Sequence, residues 1–277
     1  MSLISAIKTP KTLTTSILLT LSLFSVSTYA AQPPRICAIY PHLKDSYWLS
    51  VNYGMVDEAN KQDVDLRVLE AGGYLNLDKQ REHMALCVKW GADAIILGTV
   101  APDLFYSSLS TVSSSVPVFA TVNKLVVDPK NHTALKGEVG VDWYWMGYYV
   151  GDYLKSKHPA GSGQTNIALL PGPQSSGGTK PVIQGFYSAI KGSDINVVDT
   201  YWADNDKELQ RNLVQKAIDN KNINYIVGSA VAIEAAISEL RSANKANDIG
   251  LVSTYLSHGV YRGLLRSRVE FAPTDKM

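Results

Sequence analysis

The sequence predicts an α/β protein in two lobes, each a parallel sheet flanked by helices. Three observations carry that expectation. Short apolar runs alternate with helical patterns, the connections between them are short, and the cycle restarts once near Asp142. Strands that alternate with helices pack as a parallel sheet covered on both faces, and short connections suit such units. The length of 277 residues agrees, since it suits about two domains at roughly 100–150 residues each.

The elements follow in order. Ile36–Tyr40 reads as a strand and Ser46–Gln62 as a helix, then Val64–Glu70 as a strand and Asp78–Trp90 as a helix. Ala94–Gly98 is a strand, Asp103–Ser114 a helix, Val116–Val122 a strand, and Glu138–Val141 a strand that leads into a helix at Tyr144–Lys157. The second set runs from strand Asn166–Leu170 and helix Thr179–Lys191 through strand Val197–Tyr201 and helix Asp206–Asn220. Strand Tyr225–Gly228, helix Ala230–Asn244, strand Ile249–Thr254, a short helix His258–Leu265 and a last strand Val269–Ala272 complete it. The lobes are expected at residues 35–142 and 143–274.

Residues 1–30 stand apart. Lys8 and Lys11 precede an apolar run from Leu13 to Val26 that ends at Thr28-Tyr29-Ala30, the layout of a secretory signal peptide cleaved after Ala30. Thr14, Thr15, Ser16, Thr20, Ser22 and Ser25 break the run, which argues against a membrane anchor. Removing these 30 residues with their two lysines leaves 247 residues and a formal charge of −1. No later segment reaches membrane-spanning length, so the expected mature chain is exported and not inserted. Balanced charge, 26 Lys+Arg against 25 Asp+Glu, with 45% hydrophobic residues excludes disorder and argues against a nucleic-acid binder. Export makes Cys37 and Cys87 candidates for a disulfide, with two buried thiols as the alternative.

Ligands of open α/β sheets bind beyond the carboxyl ends of the strands. Those positions hold Asp45, Tyr47 and Trp48 after the first strand, Gly72-Gly73-Tyr74 after the second, and Asp142-Trp143-Tyr144-Trp145 before the domain change. Trp202 and Tyr255 follow later strands. A single aromatic there commonly packs against a neighbouring element, and Trp145 is expected in the core. Recurrence at several strand ends points instead to a box of rings, suited to a methylated quaternary nitrogen by cation–π attraction. Asp45 fits two roles, a charge in the site or the cap of the helix from Ser46.

Other chemistry is not supported. Gly172-Pro173-Gln174-Ser175-Ser176-Gly177-Gly178-Thr179 lies where a phosphate loop would, but lacks the Gly-Lys-Ser/Thr ending. It reads as a flexible loop that can still touch a ligand. There is no G-x-S-x-G elbow, no C-x-x-C, and neither His42 nor His258 stands in a triad pattern. Asn131-His132-Thr133 matches a glycosylation sequon of little specificity. No catalytic residue, cofactor or metal site is expected.

Several segments carry a resemblance. They are Cys37-Ala38-Ile39-Tyr40-Pro41, Leu43-Lys44-Asp45-Ser46-Tyr47-Trp48-Leu49-Ser50, Leu69-Glu70-Ala71-Gly72-Gly73-Tyr74 and Leu170-Pro171-Gly172-Pro173, with Asp204-Asn205-Asp206, Gln210-Arg211-Asn212-Leu213 and Tyr255-Leu256-Ser257-His258. From about Arg35 onward the chain resembles the type I periplasmic binding proteins, the two-lobed fold of ribose-binding proteins and LacI-type repressor cores. Within that group it is similar to receptors that sense trimethylamine N-oxide (TMAO) in the periplasm. The resemblance implies a non-enzymatic receptor that binds TMAO between its lobes and presents itself to the sensor domain of a membrane histidine kinase. It implies a box of Tyr47, Trp48, Tyr74, Trp143 and Tyr255, with Asp45 close by. Type I proteins cross between lobes three times. This sequence ends at Thr274-Asp275-Lys276-Met277, about where the last return begins, so a truncated first lobe is expected. The alternatives are a transport-associated binding protein for a sugar or quaternary amine, and a hydrolase on the same layout. Strand ends that offer Asp45, Asn123 and Asp142 but no arginine weigh against a sugar, and the missing nucleophile motif weighs against a hydrolase.

Overall fold

The computed structural model describes residues 32–275 except 131 and 221. The expected signal peptide and Asn131 of the sequon lie outside the described residues. Residues 33 onward form one compact unit that contains two parallel sheets.

The first sheet uses β1 (Arg35–Tyr40), β2 (Asp65–Glu70), β3 (Ala94–Leu97), β4 (Val118–Val122) and β5 (Leu135–Gly140), in the order β2-β1-β3-β4-β5. All neighbours run parallel, with Cys37 opposite Arg67 on one side and Ile95 on the other. The helices between them are α1 (Ser46–Lys61), α2 (Leu77–Trp90) and α3 (Leu109–Val112), and α4 (Trp143–Lys157) follows β5. The second sheet, in the order β7-β6-β8-β9, uses β6 (Thr165–Gly172), β7 (Ile195–Trp202), β8 (Tyr225–Gly228) and β9 (Gly250–Ser253). Its helices are α5 (Thr179–Ile190), α6 (Lys207–Asp219), α7 (Ala230–Ser242) and α8 (His258–Leu265).

The caps explain where several helices begin. Asp45, Asp142, Asp206, Ser229 and Ser257 each accept a backbone N–H from the first turn of the helix that follows, satisfying donors that would otherwise have no partner. Because these caps directly follow a strand end or its loop, capping also places the first turns of α1 and α4, with Tyr47, Trp48 and Trp143, at the cleft.

Strand periodicity divides the core. In β1, Cys37 and Ile39 face a cluster with Met84, Cys87, Ile95, Leu97, Phe105 and Val118. Ala38 and Tyr40 face the other way, into a cluster that includes Tyr47, Trp48, Trp143, Tyr255 and the interior of the second sheet. Cys37 and Cys87 are joined by a disulfide, with Cα atoms 5.7 Å apart, which ties α2 to β1.

Three expectations need correction. The helix expected at Asp103–Ser114 shortens to α3; before it, Leu104, Tyr106 and Ser108 donate to carbonyls three residues back, giving successive turns. Ser107, Ser108 and Ser110 favour such local turns over helix. The last strand, Val269–Ala272, is reduced to one bridge between Val252 and Phe271, and Pro273 offers no donor to extend it. Trp145 is not in the core: it is 47% exposed. The buried positions of α4 are Trp143, Met146, Gly147, Val150, Gly151 and Leu154, a helical stripe that misses residue 145.

Candidate functional site

The carboxyl ends of both sheets meet at one small cavity of about 30 Å3. The cavity is well below the size that takes a drug-sized ligand. All six residues expected at the site line it: Asp45, Tyr47, Trp48, Tyr74, Trp143 and Tyr255. Asn123, Ser176, Gly178, Thr179, Asn205 and Thr254 are further parts of the wall. Trp202, also at a strand end, is absent from the lining and 38% exposed.

The rings stand on edge to one another. Tyr47 meets Trp48 at 6.3 Å and 86°, and Tyr255 at 5.2 Å and 77°. Trp143 meets Tyr255 at 5.7 Å and 83°. Perpendicular neighbours are the favourable arrangement for aromatic quadrupoles, and successive right angles turn the rings into the sides of a box. Trp48 is pressed against Gly98, where a Cβ would fall 2.4 Å from the indole, so glycine is required for that wall. Trp143 Nε1 donates to the Val122 carbonyl at 3.1 Å. Val122 holds φ at 62°, a strained setting for a β-branched residue, and its carbonyl thereby anchors the wall that Trp143 forms.

Polar groups are fixed as firmly. The Tyr74 oxygen accepts from Trp48 Nε1 and from Asn123 Nδ2, each at 3.2 Å, so its own proton remains to be donated. Tyr47 donates to Asp275 at 2.6 Å, pointing its hydroxyl away from the rings. Asn205 Nδ2 reaches the Tyr255 hydroxyl at 3.5 Å, while its buried Oδ1 has no hydrogen-bond partner. Burial raises the phenols of Tyr47, Tyr74 and Tyr255, so all three are neutral in the physiological range.

Asp45 caps α1, accepting the Trp48 N–H at 2.8 Å, and it also lines the cavity, so both roles considered for it are occupied. Burial, reinforced by the carboxylates of Glu234 and Asp204, pushes it up to about 7 against the opposing pull of the Trp48 and Tyr47 N–H groups. His42 Nε2 lies 3.8 Å from its Oδ2. Burial and the nearby Lys44 push that imidazole down to about 4, so it is neutral and the contact is not an ion pair.

Contacts between the two sheets' elements surround the cleft. Ser46 and Ser257 both donate to Glu234 Oε1, at 2.6 and 2.5 Å. The Tyr74 N–H donates to Asp204 at 2.9 Å, and Lys44 pairs with Asp206 at 3.6 Å. Among the described residues no group of three or more His, Cys, Asp or Glu side chains is placed to hold a metal, and no helix is long and apolar enough to cross a membrane.

The part of the lining missed from sequence is both apolar, at Val122, Pro171 and Val182, and polar. Asn205, Ser176 and Thr179 belong to no motif, although strand-end position singled out the loop holding the last two. Asn205 stood only within a segment that carried the resemblance.

Two parallel α/β lobes that close over a small, ring-lined cleft define a two-lobed solute-binding protein. The chain belongs to the family described as periplasmic binding proteins and sugar binding domain of LacI family, whose model matches residues 33–276. It is 44% identical over 244 residues to the periplasmic protein TorT of Escherichia coli (strain K12), covering 88% of this chain and 68% of that protein. Among solved structures it is similar to the TorS sensor domain–TorT complex in the absence of ligand, with 70% identity, a TM-score of 0.81, and coverage of 88% of this chain and 81% of that one. The same complex in the presence of TMAO gives 70% identity, a TM-score of 0.80 and the same coverage. An ABC transporter solute-binding protein from Bradyrhizobium sp. BTAi1, with bound bis-tris, is 34% identical with a TM-score of 0.67, covering 86% of this chain and 71% of that one.

Proposed function

We propose that this chain is a periplasmic receptor, not an enzyme, that encloses TMAO in its aromatic box and presents its occupied state to the sensor domain of a membrane histidine kinase of the TorS type. The observation that carries the reading is the run of rings, each edge-on to the next, around a small cavity at the carboxyl ends of both sheets. The three methyl groups of TMAO carry the positive charge of its nitrogen outward, and ring faces attract such a surface in a desolvated pocket. The N–O oxygen needs donors, and the Tyr74 hydroxyl has a proton to give. The low dielectric of a closed cleft strengthens both contacts. The similarity to TorT in its TorS complexes, one of them with TMAO present, supports the same reading.

Signalling follows from where the walls come from. Trp48 and Tyr74 belong to elements of the first sheet, and Tyr255 follows β9 of the second. A ligand that touches both sides favours the closed arrangement, and it shifts the receptor only by its difference in affinity for closed and open states.

Intrinsic tryptophan fluorescence tests the reading, since Trp48 and Trp143 are walls of the box. Titration with TMAO, betaine, choline and ribose is expected to give a saturable change with TMAO at the lowest concentration. Saturation by ribose alone would remove the aromatic-box function.

A further inference from the structure

Asp45 is the single ionisable carboxyl among the described residues that line the cavity. It is held in place by its cap bond to the Trp48 N–H and is only 7% exposed. Its surroundings offer it no cation. From its own loop come His42, neutral and 3.8 Å away, and Lys44, which is paired with Asp206. Glu234 on α7 and Asp204 before α6 approach as carboxylates, and Tyr47, Tyr74 and Tyr255 as neutral phenols. The imidazole tautomer is also set: His42 Nδ1 accepts the Lys44 N–H at 3.3 Å, which leaves the ring proton on Nε2, the atom nearer Asp45.

Resting on the amine-oxide reading above, we propose that Asp45 meets the ligand as a neutral carboxylic acid and donates its proton to the N–O oxygen, which makes it the residue that separates amine oxides from quaternary cations of the same size. An ionised Asp45 would set a negative oxygen against the negative oxygen of the ligand. The neutral acid adds a second donor beside Tyr74. Tetramethylammonium has the same tetrahedral size but a methyl group in place of the oxygen. It gains nothing from the acid and is attracted to the carboxylate. Asp45 changes between these forms at about 7, with burial the main cause, so the preference of the site is expected to turn over close to neutral pH.

Calorimetric titration of the chain with TMAO and with tetramethylammonium at pH 6, 7 and 8 tests this. For a single proton released at about 7, TMAO is expected to bind about tenfold more weakly at pH 8 than at pH 6, while tetramethylammonium strengthens. In Asp45→Asn the amide donates at every pH, and asparagine caps a helix as well as aspartate does. The variant is therefore expected to bind TMAO with no pH dependence over this range. Measurable TMAO binding that is flat or strengthens from pH 6 to 8 in the unaltered chain would overturn the proton-donor role while leaving the aromatic box standing. Absence of TMAO binding at every pH would overturn both. The carboxyl 13C shift of Asp45 in the TMAO complex supplies a reading free of substitutions. A neutral-acid shift at pH 7 supports the donor role, and a carboxylate shift overturns it.

Discussion

Gly178→Ala perturbs the box without removing any ring. Gly178 precedes α5 with φ −88° and ψ −31°, a conformation open to alanine, so backbone strain plays no part. The new Cβ would lie 2.8 Å from Cε2 and 2.9 Å from Cδ2 of Trp143, closer than carbon atoms pack. Overpacking of this kind costs about 1–3 kcal/mol, distributed between ring and loop. The ring cannot yield freely, because Nε1 is bonded to the Val122 carbonyl and the ring packs at right angles against Tyr255. If about half of the strain falls on the bound geometry, TMAO binding weakens by about 0.5–1.5 kcal/mol, or roughly 2- to 13-fold. Fluorescence titration reads this directly, and the emission of Trp143 itself is expected to shift before any ligand is added. Gly54→Ala is the control: it sits in α1 with nothing within 4 Å of the new Cβ. Gly178→Ala with affinity and emission equal to this control would refute the packing argument.

Other outcomes follow from the same contacts. Trp143→Ala and Tyr255→Ala are each expected to weaken TMAO binding by about 1–2 kcal/mol if the cation–π contact is desolvated; unchanged titration curves for both would take these rings out of the site. Gly54→Ala is expected to raise stability by about 0.5–1 kcal/mol in a urea melt, because it removes backbone freedom from an exposed helix interior. Replacing both Cys37 and Cys87 with alanine opens a cross-link that spans 50 residues, and the expected loss is about 4 kcal/mol on the loop-entropy account, seen as a fall in Tm. An unchanged Tm would mean that the bridge constrains nothing. The protonation of Asp45 has its own signature without ligand. Its folded value lies above its unfolded one, so its contribution is present at acid pH and is lost between about 4 and 7 as the group ionises. The stability of Asp45→Asn relative to the unaltered chain is therefore expected to rise from pH 5 to pH 8, on the order of 2–3 kcal/mol; a constant difference contradicts the burial argument. Comparing the pair cancels the opposite trend from His42, whose contribution is lost as pH falls through about 4.

The order of strands and helices was legible because each element carries its own period. β1 alternates between two cores, and α1, α4, α6, α7 and α8 start at Asp or Ser caps that the sequence displays. The failures share a physical cause, which is that neighbours rather than local pattern decided them. Asp103–Ser114 has apolar residues at helical spacing, but serines and turn bonds take most of it out of the helix. Val269–Ala272 has strand-forming residues but secures a single bridge. Trp145 was misplaced because its nearness to a strand end outweighed the period of α4, where positions 143, 146, 150 and 154 already define the buried side. In the site, the rings were visible because large aromatics at strand ends are conspicuous. Asn205 and Val182 were not, since their place in the wall depends on how one sheet's loops meet the other's. The strain at Val122, with φ of 62°, has no sequence signal at all, valine being among the residues least expected there.

One comparison bears most directly on the central claim, that the rings hold a positive nitrogen. TMAO and tert-butanol share shape and size, with three methyl groups and one oxygen about a tetrahedral centre, but only TMAO carries charge at that centre. Calorimetric titration of both at pH 6 is expected to show TMAO binding at least about tenfold more tightly, since desolvated cation–π contacts with several rings exceed 1.4 kcal/mol together. Equal affinities would mean that the box selects by shape alone, and the account of the site as a receptor for a quaternary nitrogen would be wrong.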